Sequence, residues 1–308
     1  MDTSTADLRL GIDLGGTKIE IGAFDGAMRT LLRRRVPTPA GDYGAKLSAI
    51  AGLVRDAEVH AGRPGTVGIG TPGSISPQSG LIRNANSTVL IGKPFQRDLE
   101  AALARPVRMT NDANCLALSE ALDGAAAGID NVFAAILGTG VGGGLAIFGR
   151  IVEGTNAIAG EWGHNPLPWA GPDELPGPQC YCGRRGCIET FLCGPALSRQ
   201  YAQLSGENIP PTEIARRAAH HDAQAAACME RYEHRLARAF ASVINVVDPA
   251  VIVIGGGVCN IDRLYETIPR LLPDFVFSDS VRTRVVRAAH GDSSGVRGAA
   301  LLWSTMSS

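Results

Sequence analysis

A histidine and three cysteines stand close together in the second half of the chain. His164 is followed by Cys180, Cys182 and Cys187. One histidine and three cysteines make a ligand set that closes a tetrahedral zinc site. Because four protein ligands leave no open position on the metal, we expect zinc to order this loop rather than to activate water.

The alternatives to a metal site are a disulfide cluster and a surface histidine beside small buried cysteines. The chain has seven cysteines, an odd number, and its amino terminus MDTSTADLRL lacks the basic and apolar regions of a secretion signal. We therefore expect a cytoplasmic location, where thiols stay reduced. The remaining cysteines are interpreted as core residues: Cys115, Cys193, Cys228 and Cys259.

The composition predicts a soluble globular protein with a small-molecule partner. With 308 residues and 45% hydrophobic residues, the chain can form about two domains. The net charge of -1 argues against nucleic-acid or membrane-surface binding. The longest uncharged run, residues 132–149, contains GTGVGGG and so does not predict a transmembrane helix.

Three glycine-rich turns follow predicted strands and could together bind one nucleotide. The strands are Leu8–Leu14, Asn131–Leu137 and Ala250–Ile254, and the sequences after them are GGT, GTGVGGG and GGG. Turns without side chains let a polyphosphate approach backbone N–H groups. The middle sequence fits G-x-G-x-x-G, but a dinucleotide fingerprint requires a helix next, whereas LAIF continues as a strand. Plain hairpin turns remain the alternative for each sequence taken alone.

Asp112 stands between a predicted strand, Val107–Met109, and a predicted helix, Ala113–Ala126. An aspartate in this position can be a helix N-cap, because its carboxylate accepts hydrogen bonds from the first free N–H groups. It can also be a general base at the end of a strand. The residues alone leave both roles open.

Six motifs in a fixed order make the chain resemble a known family. They are DLGGTK, ND, GTG, GEWGH, CxCGxxGC and GGG. Together they resemble the ROK family of bacterial sugar kinases and repressors, from about Leu8 to Trp303. Four longer segments are similar to the fructokinase and mannofructokinase branch: TPGSISPQSGLIRNANS, NDANCLALSEALDGAAAG, GEWGHNPLPW and HGDSSGVRGAA.

The resemblance implies an α/β fold of the two-domain, actin-like ATPase type, which is similar to ribonuclease H. A cleft separates the two domains, and the zinc site is structural. Residues 1–112 together with 291–308 are expected to form a small N-terminal domain. Residues 113–290 are expected to form a larger C-terminal domain that carries the zinc loop. Many relatives are homodimers, so a homodimer is expected.

The resemblance also implies which residues bind ATP and sugar. Asp112 matches the general base, and Asp13 matches the carboxylate near magnesium. The nucleotide residues implied are Asp13, Gly15, Gly16, Thr17, Lys18, Gly138, Thr139, Gly140, Gly255, Gly256 and Gly257. The sugar residues implied are Asn86, Asn111, Asp112, Glu161, His164 and Glu189, with Asn84 and Ser74 as weaker candidates.

The activity implied is transfer of the ATP γ-phosphate to the 6-hydroxyl of fructose, with mannose as a further substrate. Glucose or an N-acetylhexosamine is the alternative, although the sequence near GEWGHNPLPW shows no feature that makes room for an acetamide. A sugar-responsive repressor is an alternative of another class. The residues before Asp13 are too few for a helix-turn-helix, which argues against it.

Overall fold

Two five-stranded sheets form the framework of the protein, one in each half of the chain. A computed structural model describes residues 7–85, 87–291 and 294–304. The strands are β1 (Leu8–Leu14), β2 (Lys18–Phe24), β3 (Thr30–Pro37), β4 (Gly65–Thr71), β5 (Ser74–Ile75), β6 (Ile82–Arg83), β7 (Val107–Asn111), β8 (Asn131–Leu137), β9 (Val141–Ile147), β10 (Arg150–Ile151), β11 (Val251–Gly255) and β12 (Arg284–Arg287).

The two sheets share one topology. The first has the order β3-β2-β1-β4-β7 and the second β10-β9-β8-β11-β12, while β5 and β6 form a separate hairpin. In each sheet the first strand pairs antiparallel with the second and parallel with the strand on its other side. This repeated arrangement confirms the predicted α/β, two-domain, actin-like fold.

Helices cover the sheets, and short polar caps fix the ends of the longest ones. They are α1 (Tyr43–Ala61), α2 (Phe95–Leu103), α3 (Asp112–Asp123), α4 (Ile188–Leu192), α5 (Gly194–Ser205), α6 (Pro211–Ala219), α7 (Ala223–Val247), α8 (Leu264–Leu271) and α9 (Ser294–Leu301). Helix α1 begins after Asp42, whose side chain accepts the N–H of Ala45, and ends at Gly62 in the left-handed conformation. Helix α7 begins in the same way after Asp222.

The hydrophobic core of the second half of the chain, which includes Phe133, Trp162 and Phe240, holds the segment GEWGH in place. The indole ring of Trp162 stacks on Phe240, with ring centroids 5.4 Å apart, and meets Phe133 edge-on at 5.7 Å. The indole N–H donates to the carbonyl of Gly142 at 2.8 Å. Because a buried aromatic ring with a satisfied N–H is strongly anchored, the neighbouring residues Glu161 and His164 have a rigid base.

Helix α9 packs backbone against backbone on the first sheet and on α3. A Cβ atom at Gly11 would overlap the carbonyl oxygen of Val296, and one at Gly298 would overlap that of Cys115. The fully buried Glu120 of α3 accepts hydrogen bonds from the hydroxyl of Ser294 at 2.9 Å and the N–H of Ala289 at 3.0 Å. Glycine is required at these close approaches, which join the two halves of the chain.

Strand β9 begins earlier than the sequence indicates. The glycine turn is expected to span Gly138–Gly144, but Val141 already pairs with Leu137, so the turn is confined to residues 138–140. The glycines at 143 and 144 lie within the strand because Trp162 and the backbone of Ala113 press against it. None of the helices in the described ranges has both the length and the apolar character that crossing a bilayer requires.

Candidate active site

A cavity of about 290 Å³ lies where the ends of the two sheets face each other. Residues of the first half and residues of the second half both line it. The polar side chains that line it include Asn84, Asn111, Asp112, Thr139, Glu161, His164, Tyr181 and Glu189. The main predicted sugar residues therefore lie around one cavity, except Asn86, which lies outside the described residues. The weaker candidate Ser74 lines an adjoining cavity instead.

The junction between β7 and α3 sets the position of Asp112. Asn111 is the N-cap of α3: its side-chain oxygen accepts the N–H of Ala113 at 2.8 Å, and its amide group donates to the carbonyl of Gly73 at 3.0 Å. Asp112 is the first residue of the helix, and one of its carboxylate oxygens also accepts from Ala113 at 2.8 Å. Asn111 is therefore the N-cap of the helix, and Asp112 only shares the capping role that the sequence left open for it.

The environment of Asp112 makes it a weaker acid. Burial, followed by the negative charges of Asp13 and Glu161, raises its pKa to about 7, against the opposing effect of the Ala113 N–H. Burial and the charge of Glu189 also raise the pKa of Glu161. A carboxyl group that titrates near neutral pH in a polar cavity is suited to accepting a proton from a hydroxyl.

Glu161 and Glu189 reach the cavity from two anchored segments. Glu161 precedes the short 3₁₀ turn Trp162–His164, which the buried indole holds in place. Glu189 lies in the first turn of α4, two residues after the predicted metal ligand Cys187. Carboxylates can accept hydrogen bonds from neighbouring sugar hydroxyls, so their placement fits a polyol ligand.

The predicted metal ligands converge in the described structure. The ligand atoms of His164, Cys180, Cys182 and Cys187 all lie within 4.8 Å of one another. The distance from Cys182 Sγ to Cys187 Sγ is 3.6 Å, and that from Cys180 Sγ to His164 Nδ1 is also 3.6 Å. Two sulfur ligands of a tetrahedral zinc lie about 3.8 Å apart when each Zn–S bond is about 2.3 Å. The donor set and its spacing are therefore consistent with a zinc site.

The outer nitrogen of His164 has a partner that sequence reasoning missed. The hydroxyl oxygen of Tyr181 lies 3.0 Å from His164 Nε2. A tyrosine hydroxyl stays protonated at neutral pH, so it can also donate a hydrogen bond. The one feature of the sequence that could have pointed to this contact is the aromatic residue between Cys180 and Cys182.

One of the three predicted nucleotide turns lines the cavity directly. Thr139 and Gly140 line it, whereas the Gly15–Lys18 turn is not among its lining residues. The N–H of Gly15 donates to the carbonyl of Lys18 at 2.9 Å, which closes that turn. A Cβ at Gly138 would lie 4.0 Å from the Cα of Gly256, so the second and third turns are neighbours.

Two larger cavities adjoin the site. One of about 400 Å³ is lined by residues that include Met109, Asn114 and Glu153, and one of about 950 Å³ by residues that include Ala85 and Ile91. Both share Glu161 with the central cavity. No feature of the sequence indicates room for an acetamide, but the structure has open volume beside the predicted sugar residues.

Comparisons with known proteins agree on one family. Residues 9–306 match the ROK family. The N-acetyl-D-glucosamine kinase of Pectobacterium atrosepticum is 41% identical over 296 residues, covering 95% of this chain and 97% of that protein. The corresponding kinase of Yersinia pseudotuberculosis serotype O:3 is 40% identical over the same length, with the same two shares covered.

Solved structures show the same fold. The ROK hexokinase from Thermus thermophilus superimposes with a TM-score of 0.83 at 34% identity, covering 96% of this chain and 97% of that one. A ROK glucokinase from Streptomyces griseus, solved with glucose and AMPPNP, has a TM-score of 0.80 at 28% identity, covering 96% and 98%. The similarity thus extends over nearly the whole length of each chain.

Proposed function

Because the chain belongs to the ROK family, we propose that it is an ATP-dependent sugar kinase that phosphorylates the 6-hydroxyl of a hexose. The observation that carries this proposal is Asp112, whose pKa is raised to about 7 in a cavity lined by further sugar-binding candidates. Relatives named as sugar kinases, and a related structure that holds glucose and an ATP analogue, support it.

The proposed mechanism gives each group of residues one task. Asn111, Glu161 and Glu189 hold the hydroxyls of the sugar, and His164 orders the same wall of the cavity, so that the 6-hydroxyl of the sugar faces Asp112, which accepts the proton as the phosphoryl group is transferred. The predicted turn residues hold ATP in two parts. The turns Gly15, Gly16, Thr17, Lys18 and Gly138, Thr139, Gly140 provide N–H groups for the phosphates, and Gly255, Gly256 and Gly257 lie beside the adenosine. Bound Mg²⁺, for which the carboxylate of Asp13 is a suitable ligand, would neutralise phosphate charge.

We propose zinc for the cluster of His164, Cys180, Cys182 and Cys187. With four protein ligands the metal has no open position, so its role is to fix the loop. That loop carries Tyr181 and leads into Glu189. Zinc therefore supports sugar binding and takes no part in phosphoryl transfer.

N-acetyl-D-glucosamine is the first candidate for the sugar. The two relatives described above, each about 40% identical over nearly the whole chain, are named as kinases of this sugar. They favour the N-acetylhexosamine alternative over the fructose that the sequence predicted. The open volume beside Glu161 can receive an acetamide group.

Fructose, which the sequence predicted, is the second candidate. The segments that resemble the fructokinase branch contribute directly to the cavity: Gly73 comes from TPGSISP, Asp112 from NDAN, and Glu161 from GEWGH. Overall identity averages over positions far from the sugar, whereas these segments surround it. A direct comparison of sugars decides between the two candidates.

The deciding experiment presents N-acetylglucosamine, fructose, mannose and glucose with ATP and Mg²⁺ in a coupled assay for ADP. We expect the highest kcat/KM on N-acetylglucosamine, with phosphorus NMR placing the phosphate on O6. A higher kcat/KM on fructose would select the second candidate. Binding of a hexose without any phosphoryl transfer would overturn the kinase proposal itself.

Three further expectations remain proposals. The domain division, 1–112 with 291–308 and then 113–290, is supported by the packing of α9 on β1 and β4. The homodimer is tested by light scattering of the purified chain. The cytoplasmic location is tested by cell fractionation.

A further inference from the structure

Tyr181 lies between two metal ligands in sequence and against a third in space. Its ring meets that of His164 edge-on, with centroids 5.1 Å apart and an angle of 87° between the planes. The residue is nevertheless 74% exposed. An aromatic side chain that buries so little surface contributes little hydrophobic stabilisation, so burial alone does not account for its position.

The ring nitrogen of His164 that faces the metal cluster determines which atom donates in the hydrogen bond between His164 and Tyr181. Nδ1 faces Cys180 Sγ within the four-ligand cluster, so a bound metal takes the lone pair of Nδ1. The neutral ring then carries its proton on Nε2, 3.0 Å from the hydroxyl oxygen of Tyr181. Nε2 donates this hydrogen bond and the tyrosine oxygen accepts it. The O–H of Tyr181 is left to donate to another acceptor.

The cavities show where that acceptor would be. Tyr181 lines the central cavity together with Asp112, Glu161 and Glu189, and it also lines the larger cavity beside it. A sugar bound among these carboxylates brings hydroxyl oxygens to the same wall. The tyrosine hydroxyl therefore stands between the metal-held histidine and the space for the sugar.

We propose that Tyr181 is a sugar-binding residue: its hydroxyl donates a hydrogen bond to an oxygen of the hexose while it accepts one from His164. The metal thus orders the sugar site through a chain of two side chains, His164 and then Tyr181. This inference rests on the proposed kinase function and adds a residue to its binding site.

Tyr181→Phe tests the inference because it removes the hydroxyl and keeps the ring. Calorimetry without ATP should show the Kd for the preferred hexose rising about threefold to tenfold, the loss expected for one neutral hydrogen bond. The KM for the sugar should rise by the same factor, while kcat and the KM for ATP stay unchanged. Elemental analysis should find the metal content of the wild type.

Tyr43→Phe is the matched control, since it removes a tyrosine hydroxyl that donates to Asp98 at 2.7 Å in the first half of the chain. It should leave the Kd for the sugar unchanged. An unchanged Kd in Tyr181→Phe would overturn the inference. So would a weakened Kd that returns to the wild-type value once lost metal is restored, because Tyr181 would then only support the loop.

The two proposals fail in different ways. A wild-type chain that binds hexoses but phosphorylates none contradicts the kinase proposal, and the Kd ratio between the Tyr181→Phe variant and the wild type still judges the binding role. A wild-type chain that binds no hexose contradicts both.

Discussion

The carboxylate of Glu189 accepts a hydrogen bond from the backbone N–H of Val141, with 2.9 Å between oxygen and nitrogen. Glu189 follows the metal ligand Cys187 closely in sequence, and Val141 follows the glycine turn at residues 138–140. This single bond connects the metal loop to the turn that we assign to the ATP phosphates. The sugar-binding and nucleotide-binding parts of the site are therefore mechanically connected.

Gly140→Ala should disturb that connection. A Cβ at this position would lie 2.6 Å from Oε2 of Glu189, so the carboxylate must move. We expect the KM for the sugar to rise at least fivefold, on the order of one lost charge-assisted hydrogen bond. Steady-state kinetics measure it, with Gly52→Ala in α1 as the control because its Cβ would meet only the distant end of Arg55. Equal kinetics for both variants would contradict the connection.

Asp112→Asn removes the proton acceptor and keeps the size of the side chain. We expect turnover to fall roughly 10²- to 10⁴-fold, the range for loss of a general base, while the sugar still binds. Helix α3 should remain capped, because Asn111 accepts the Ala113 N–H in both proteins. Turnover near that of the wild type would show that Asp112 is not the base.

The activity should depend on pH through Asp112. Since its pKa is raised to about 7, kcat/KM for the sugar should fall about tenfold for each pH unit below 7 and level off above it. A carboxyl group whose pKa rises on folding stabilises the fold at low pH, and this contribution is lost as the pH rises through 7. The Tm difference between Asp112→Asn and the wild type should therefore favour the variant more at pH 8 than at pH 5.5. A pH-independent difference would argue against the raised pKa.

Cys182→Ser should lower the metal content, because a serine hydroxyl is a poor replacement for a thiolate on zinc. Elemental analysis should find close to one zinc per chain in the wild type and clearly less in the variant, with a higher Kd for the sugar. Cys228→Ala, a buried cysteine of α7 outside the cluster, should keep the full metal content. A wild type that is active and free of metal would refute the zinc assignment.

The sequence predicts well those elements whose limits depend on local signals. Strands β1 and β8 have their predicted limits, Leu8–Leu14 and Asn131–Leu137, because a glycine turn marks where each one ends. Strand β12, Arg284–Arg287, was not predicted. Its two arginines weaken the strand pattern, and its short parallel pairing with β11 depends on tertiary contacts.

The same distinction applies to the site. The motifs indicated Asp112, Glu161 and Glu189, and the structure brings all three to one cavity. The hydrogen bond between Tyr181 and His164 could not be predicted, because it depends on how the metal loop folds back over the histidine. The raised pKa of Asp112 was equally hidden, since it results from burial and from a carboxylate on a distant strand.

The contact between α9 and β1 also constrains the order in which the protein can be assembled. The strands of the first sheet are synthesised early, yet Gly11 packs against the backbone at Val296, which is synthesised after every strand of the second sheet. One face of the first sheet therefore remains uncovered while the second half of the chain is synthesised. A ribosome stalled before α9 would therefore hold this half of the molecule with an incomplete core.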